Sequence, residues 1–169
     1  MTFRAFAVAT AFLMAGYSFA PAHAQQAKLT PADVAKIKTD VAAAAQLYLK
    51  TFNTLDAKAV ADKVWANPGV SSDANGVTVL SRDKIIAMYE NIYSQLAKAQ
   101  YDHSVMTKEP AVCVLSQNDA IMSASFQRIT KSGASLLATT ASYWYKKTAD
   151  GWRLNAILSG GMEHAVTCD

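Results

Sequence analysis

The sequence is poor in the residues that most often carry chemistry. It holds three histidines, His23, His103 and His164, and two cysteines, Cys113 and Cys168. No histidine pair stands at i, i+4 and no Cys-x-x-Cys occurs. A dedicated zinc site needs three or four converging ligands, so no metal is expected. There is no Gly-x-Ser-x-Gly turn to present a nucleophilic serine, and no Gly-x-x-x-x-Gly-Lys loop to cradle phosphates. Ser159-Gly160-Gly161 is too short for the second role and reads as the exit from a last strand. No cofactor is expected. Charge excess is lacking too: 16 basic side chains face 13 acidic ones. That balance points to neither nucleic acid nor an anionic membrane as partner.

A long apolar run is also missing. The stretch from Ala5 to Ala20 falls short of the ~20 residues a membrane span needs, and Gly16, Tyr17 and Ser18 dilute its end. What stands there instead is Arg4, the apolar run, Pro21, and then the small residues of Ala22-His23-Ala24 before Gln25. Positive, apolar and small in that order is a secretory signal, so residues 1–24 are expected to be cleaved, leaving no stable membrane insertion. No cysteine follows to take a lipid. The expected destination is a bacterial periplasm or the outside medium. In such an oxidising compartment Cys113 and Cys168 are expected to pair; the competing reading is a buried strand thiol and a loose terminal one.

The rest reads as a tether over 25–32, one domain over 33–160 and a tail over 161–169. Thr30-Pro31-Ala32-Asp33 announces a helix, and Val34, Ile37, Val41, Ala45, Tyr48 and Phe52 give it one apolar stripe. Asp56 opens a second, shorter helix carrying Val60, Val64 and Trp65, which Asn67-Pro68-Gly69 stops. Ser71 to Gly76 is rich in turn residues, and Val77 to Leu80 is a short strand. Ser81 caps a third helix with Ile85, Met88 or Tyr89, Ile92 and Leu96 in its stripe. Thereafter the chain is strand-like: Tyr101 to Leu115 (kinked at Pro110), Ala120 to Thr130, Ser135 to Lys147 and Trp152 to Ser159. Turn signals at 116–119, 131–133 and 149–151 separate these runs, so consecutive strands should pair antiparallel. Helices first and a meander afterwards is the α+β pattern.

This order of elements resembles the nuclear transport factor 2-like superfamily, in its SnoaL-like and ketosteroid-isomerase-like branch. The residues that carry the resemblance are Tyr48 and Phe52 on the long first helix, Asp56, Trp65 and Ser81-Arg82-Asp83-Lys84-Ile85. The ending Tyr143-Trp144-Tyr145-Lys146-Lys147, then Asp150-Gly151-Trp152-Arg153-Leu154, completes it. The resemblance implies a cone: a curved antiparallel or mixed sheet wrapped around the long N-terminal helix, with three helices in all. It implies an apolar pocket at the open end, and chemistry that ranges from binding to isomerisation, cyclisation, dehydration or hydrolysis.

Enzymes of this kind work by acid–base chemistry without a cofactor, which needs an ionisable group inside the pocket. Strand alternation sets Tyr101, His103 and Val105 opposite Asp102, Ser104 and Met106. If the first set faces inward, His103 is the candidate acid or base; otherwise it is a rim histidine. Mid-strand carboxylates are few, which argues against a paired-acid site. The expected ligand-binding set is Trp65, Tyr89, Tyr93, Phe126, Arg128, Tyr143 and Asn155, an apolar lining with a few polar tips. Arg128 shares a strand face with Met122 and Phe126 and suits an anion, or else it snorkels at the sheet edge. Ser123, Ser125, Thr139 and Ser142 are expected to leave room nearby. The leading expectation is therefore an exported domain binding a small hydrophobic or anionic molecule. The alternatives are a cofactor-free acid–base enzyme, or a homodimer formed through the outer sheet face and marked by an exposed Trp144.

Overall fold

Three side-chain caps start three helices. The computed structural model describes residues 28–73, 76–158 and Cys168; the expected signal peptide, Ser159–Gly161, His164 and the tail other than Cys168 lie outside the described residues. Helix α1 (Pro31–Phe52) opens with a reciprocal box: the Thr30 hydroxyl accepts from the Asp33 amide while the Asp33 carboxylate accepts from the Thr30 amide. The helix takes in the last two residues of the expected tether. Ile37, Val41, Ala45 and Phe52 are buried along one stripe. Asp56 caps α2 (Ala57–Lys63) by accepting from the Ala59 amide at 2.9 Å. Ser81 caps α3 (Arg82–Lys98), which buries Ile85, Tyr89, Tyr93 and Leu96.

Seven strands follow and flank these helices: β1 (Trp65–Asp73), β2 (Gly76–Leu80), β3 (Tyr101–Met106), β4 (Ala111–Val114), β5 (Asp119–Thr130), β6 (Ser135–Thr148) and β7 (Gly151–Leu158). They form one curved, unclosed sheet in the order β2-β1-β7-β6-β5-β3, with β4 also on β5. The expected hairpins join β4 to β5, β5 to β6 and β6 to β7, all antiparallel. The sheet is mixed because β1 runs parallel to β7, a pairing with no local turn to signal it. Helix α1 packs on β4, β5 and β7, while α3 packs on α2 and β1. The expected bridge is present: Cys113 on β4 is joined to Cys168 across a separation of 55 residues.

Four local expectations are corrected. The second helix ends at Lys63, and Trp65 opens a strand instead of closing a helix. That strand runs through Asn67-Pro68-Gly69 to Asp73, replacing most of the expected turn. Proline, which has no amide to donate, falls inside the register break between Trp65 and Val70, where it removes no ladder bond to β7. The run from Tyr101 to Leu115 is two strands, β3 and β4, both paired to β5. Finally, β3 carries a register shift between Tyr101 and His103. The irregularity breaks simple alternation, so that Tyr101 and Ser104 are both buried, while His103 leaves the Tyr101 face.

Candidate functional site

The interior that the resemblance implied to be an open pocket is filled largely by the protein's own rings. Tyr48 meets Phe52, Tyr89 and Tyr143 edge-on, with centroids 6.0, 6.5 and 5.9 Å away. Phe52 in turn meets Tyr93 at 5.3 Å and Tyr101 at 6.2 Å. Such edge-to-face pairs add to the area they bury. The space left among them is a cavity of about 30 Å³, room for little more than a water molecule. Tyr48, Leu49 and Phe52 line it from α1, Ser104 and Met106 from β3, Met122, Phe126 and Arg128 from β5, and Tyr143 from β6.

Alternation along β5 explains why Met122, Phe126 and Arg128 arrive together, as the sequence led one to expect. Arg128 is half-buried, and its guanidinium carbon stands 5.4 Å from the centroid of the Phe52 ring. Among the described residues it has no hydrogen-bond acceptor and no carboxylate within ion-pair reach. The cavity wall thus carries a permanent cation whose protein partner is an aromatic face.

Behind the lining runs a chain of hydroxyls. The Trp65 indole N–H donates to the Tyr89 hydroxyl at 3.2 Å, and the Tyr89 hydroxyl donates to that of Tyr48 at 3.0 Å. Burial raises the pKa of Tyr48, which the hydrogen bond from Tyr89 and the charge of Arg128 oppose. Burial pushes Tyr89 and Tyr143 well above the ordinary phenol value, Tyr143 again against the pull of Arg128. Every phenol at the cavity is therefore held protonated, and is available as a donor.

A second network fixes the floor of the site. Asn53 caps the C-terminus of α1 and clasps β3: its Nδ2 donates to the Ser104 carbonyl at 3.0 Å, while its Oδ1 accepts from the Ser104 amide at 2.9 Å. The same Oδ1 accepts from the Tyr101 hydroxyl at 2.8 Å. Ser104 and Met106 thereby face the cavity, and His103 does not line it. His103 lies with its side chain 44% exposed and its Nδ1 2.7 Å from the Asp102 carboxylate.

Of the expected ligand-binding residues, Phe126, Arg128 and Tyr143 line the cavity, while Tyr89 and Trp65 stand behind Tyr48. Tyr93 packs its ring on Phe52 and Tyr89, and its buried hydroxyl has no hydrogen-bond partner among the described residues. Asn155 lies on β7 beside a register break and is not among the lining residues. Ser123, Ser125 and Ser142 do not open space beside Met122 and Phe126. They alternate onto the other face of the sheet, where Ser123 bonds Ser142 at 2.7 Å and Ser125 bonds Thr140 at 2.8 Å. The sequence had offered Tyr48 and Phe52 as a helix stripe and as carriers of the resemblance, not as lining, and Ser104 with Met106 only as the alternative face of β3. Among the described residues no cluster of three or more His, Cys, Asp or Glu could hold a metal ion, and no helix is long and apolar enough to cross a membrane.

Residues 39–161 match the model of a family described as NTF2-like protein (DUF6841). No curated protein matches the chain. Among solved structures, an NTF2-like protein with a cystatin-like fold from Novosphingobium aromaticivorans superposes with a TM-score of 0.63 at 15% identity, covering 77% of this chain and 84% of that one. A putative dehydratase of the NTF2-like family from Streptomyces avermitilis gives 0.59 at 14% identity, with coverages of 80% and 99%. A putative calcium/calmodulin dependent protein kinase II association domain from Xanthomonas campestris gives 0.53 at 21% identity, with coverages of 84% and 98%. At these identities the likeness is one of fold.

Proposed function

The chain belongs to the NTF2-like family DUF6841, and on that premise we propose that it is an exported binding domain whose cone takes up a small organic anion. One observation carries the reading: Arg128 is a half-buried cation without an acceptor among the described residues, set in the wall of an apolar cavity. A charge drawn out of water without a partner costs stability, and a bound anion offsets that cost. The cavity's volume suits the charged headgroup alone. The body of the ligand must then displace Met106, Met122 or Phe126, and thioether side chains re-pack easily. Support for export comes from the paired cysteines, which belong in an oxidising compartment.

Turnover of the kind suggested by the name of the Streptomyces neighbour would need a base at the cavity. The ionisable groups described in its lining are an arginine and protonated phenols, so binding without turnover is the reading we adopt. It is tested by thermal shift of the purified chain against a panel of small organic acids. At one hundred times the dissociation constant, binding adds about 2.7 kcal/mol of stability. Silence across the panel removes the reading.

A second role is favoured by one feature of the outer sheet face. Val79, Val70, Ala156, Trp144 and Ile121 are aligned across five strands by the register. Val79 is 60% exposed and Trp144 36%, Val70 and Ile121 are half-buried, and Ala156 lies buried between them. A second copy of the chain is the occupant we propose for this row. Sedimentation over a hundredfold range of concentration tests it, a constant monomer counting against it.

A further inference from the structure

We infer that Tyr48 is a binding residue that works with Arg128, and that together they select a carboxylate; the inference rests on the binding role proposed above. An indole N–H can only donate, so Trp65 fixes one end of the hydroxyl chain. The Tyr89 oxygen accepts there, and its own proton goes to the oxygen of Tyr48. The opposite polarity would strand the Tyr89 proton at a side chain only 1% exposed, where an unmet donor is costly. The observed polarity instead leaves the unmet proton on Tyr48, which lines the cavity. Trp65 and Tyr89 are thus positioning residues for a donor aimed at bound ligand.

The unmet groups at the cavity are the Tyr48 O–H, the guanidinium N–H groups and the Tyr143 hydroxyl, for none of which the described residues supply an acceptor. A lining that offers donors and a positive charge matches a group that is anionic and accepts only, with two oxygens to be shared between Arg128 and Tyr48. That is a carboxylate. A neutral amide carries no charge to answer Arg128, and only one of its two polar atoms can accept from these donors.

The test uses acetate, propanoate and benzoate against their amides, by calorimetry on the purified chain and on Tyr48→Phe, Tyr89→Phe and Arg128→Gln. Acids are expected to bind at least tenfold more tightly than the amides. Tyr48→Phe should lose about tenfold in acid affinity, the scale of a hydrogen bond to a charged group, and clearly less in amide affinity. Tyr89→Phe, which leaves both contacting groups in place, should lose less. In the unmutated chain the half-buried Tyr48 hydroxyl proton should move further downfield in its NMR resonance on adding an acid than on adding its amide, a readout that needs no variant to fold. Wild-type acid affinity in Tyr48→Phe, or equal binding of acid and amide, overturns the inference and leaves ligand uptake standing. Failure of every probe to bind the unmutated chain removes both.

Discussion

Arg128 lies over the ring of Phe52, its guanidinium carbon 5.4 Å from the ring centroid, with no carboxylate partner among the described residues. The cation–π contact contributes on the order of 0.5–1 kcal/mol. Keeping a half-buried charge without a counter-ion costs at least as much. Arg128→Met, which keeps an unbranched apolar stem in the same space, should therefore melt at the wild-type temperature or above it. The same variant should lose all stabilisation by organic acids. A melting point several degrees lower would mean that Arg128 holds the fold together, and the binding reading would lose its motive.

Asn53 is a different kind of residue, because three hydrogen bonds converge on it and all of them tie α1 to β3. Truncation to alanine would strand the Ser104 amide and carbonyl and remove an acceptor from Tyr101. With ~1–3 kcal/mol for a buried group left unmet, Asn53→Ala should cost about 2–3 kcal/mol in urea denaturation. A cost below about 0.5 kcal/mol would show that solvent replaces the clasp.

The contrast between these two residues explains what could be read from the sequence. The helices were legible because their signals are local: Thr30, Asp56 and Ser81 cap three stretches whose apolar residues recur at helical spacing. The β4–β5–β6–β7 meander was legible for the same reason, each turn lying between the strands it joins. Arg128 with Met122 and Phe126 followed from alternation along one uninterrupted strand. Asn53 carries no such mark, since its partners lie 48 and 51 residues away. Trp65 was misplaced because a strand paired in parallel to β7 has no adjacent hairpin, and because proline inside a register break looks like a stop. His103 was offered to the interior on a rule that the irregularity after Tyr101 suspends. The cavity's size was beyond reach: whether these aromatic rings fill a cone or line it depends on their packing, which no pattern of residues states.

The bridge between Cys113 and Cys168 closes a loop of 55 residues and ties the C-terminus to β4. Closing such a loop in the unfolded chain reduces its entropy, and the usual stabilisation is about 2–4 kcal/mol. Cys168→Ser should lower the unfolding free energy by that amount under oxidising conditions. It should also become insensitive to reductant, while the unmutated chain is weakened by reductant to the same level. A thiol titration of the denatured, unreduced chain should find no free cysteine.

The tyrosines give the fold an alkaline limit. Six of the seven lie in residues 25–169, and in all six burial is the main cause of a pKa above the ordinary phenol value near 10. A group whose pKa is raised on folding supports the native state in full below its unfolded value, and that support is lost as pH climbs toward the folded value. The native chain should thus be insensitive to phenol ionisation up to about pH 10. Above it, each tyrosine that ionises only when unfolded contributes a slope of up to ~1.4 kcal/mol per pH unit. The slopes act together, so the native state should collapse over a narrow range instead of titrating. In the protein lacking residues 1–24, phenolate absorbance near 295 nm should stay flat through pH 10. It should then rise in one step that coincides with the loss of secondary structure by circular dichroism. A gradual rise at constant circular dichroism would mean that water already reaches these hydroxyls. The aromatic interior would then be open enough to take a ligand whole, and the headgroup-only geometry at Arg128 would have to be abandoned.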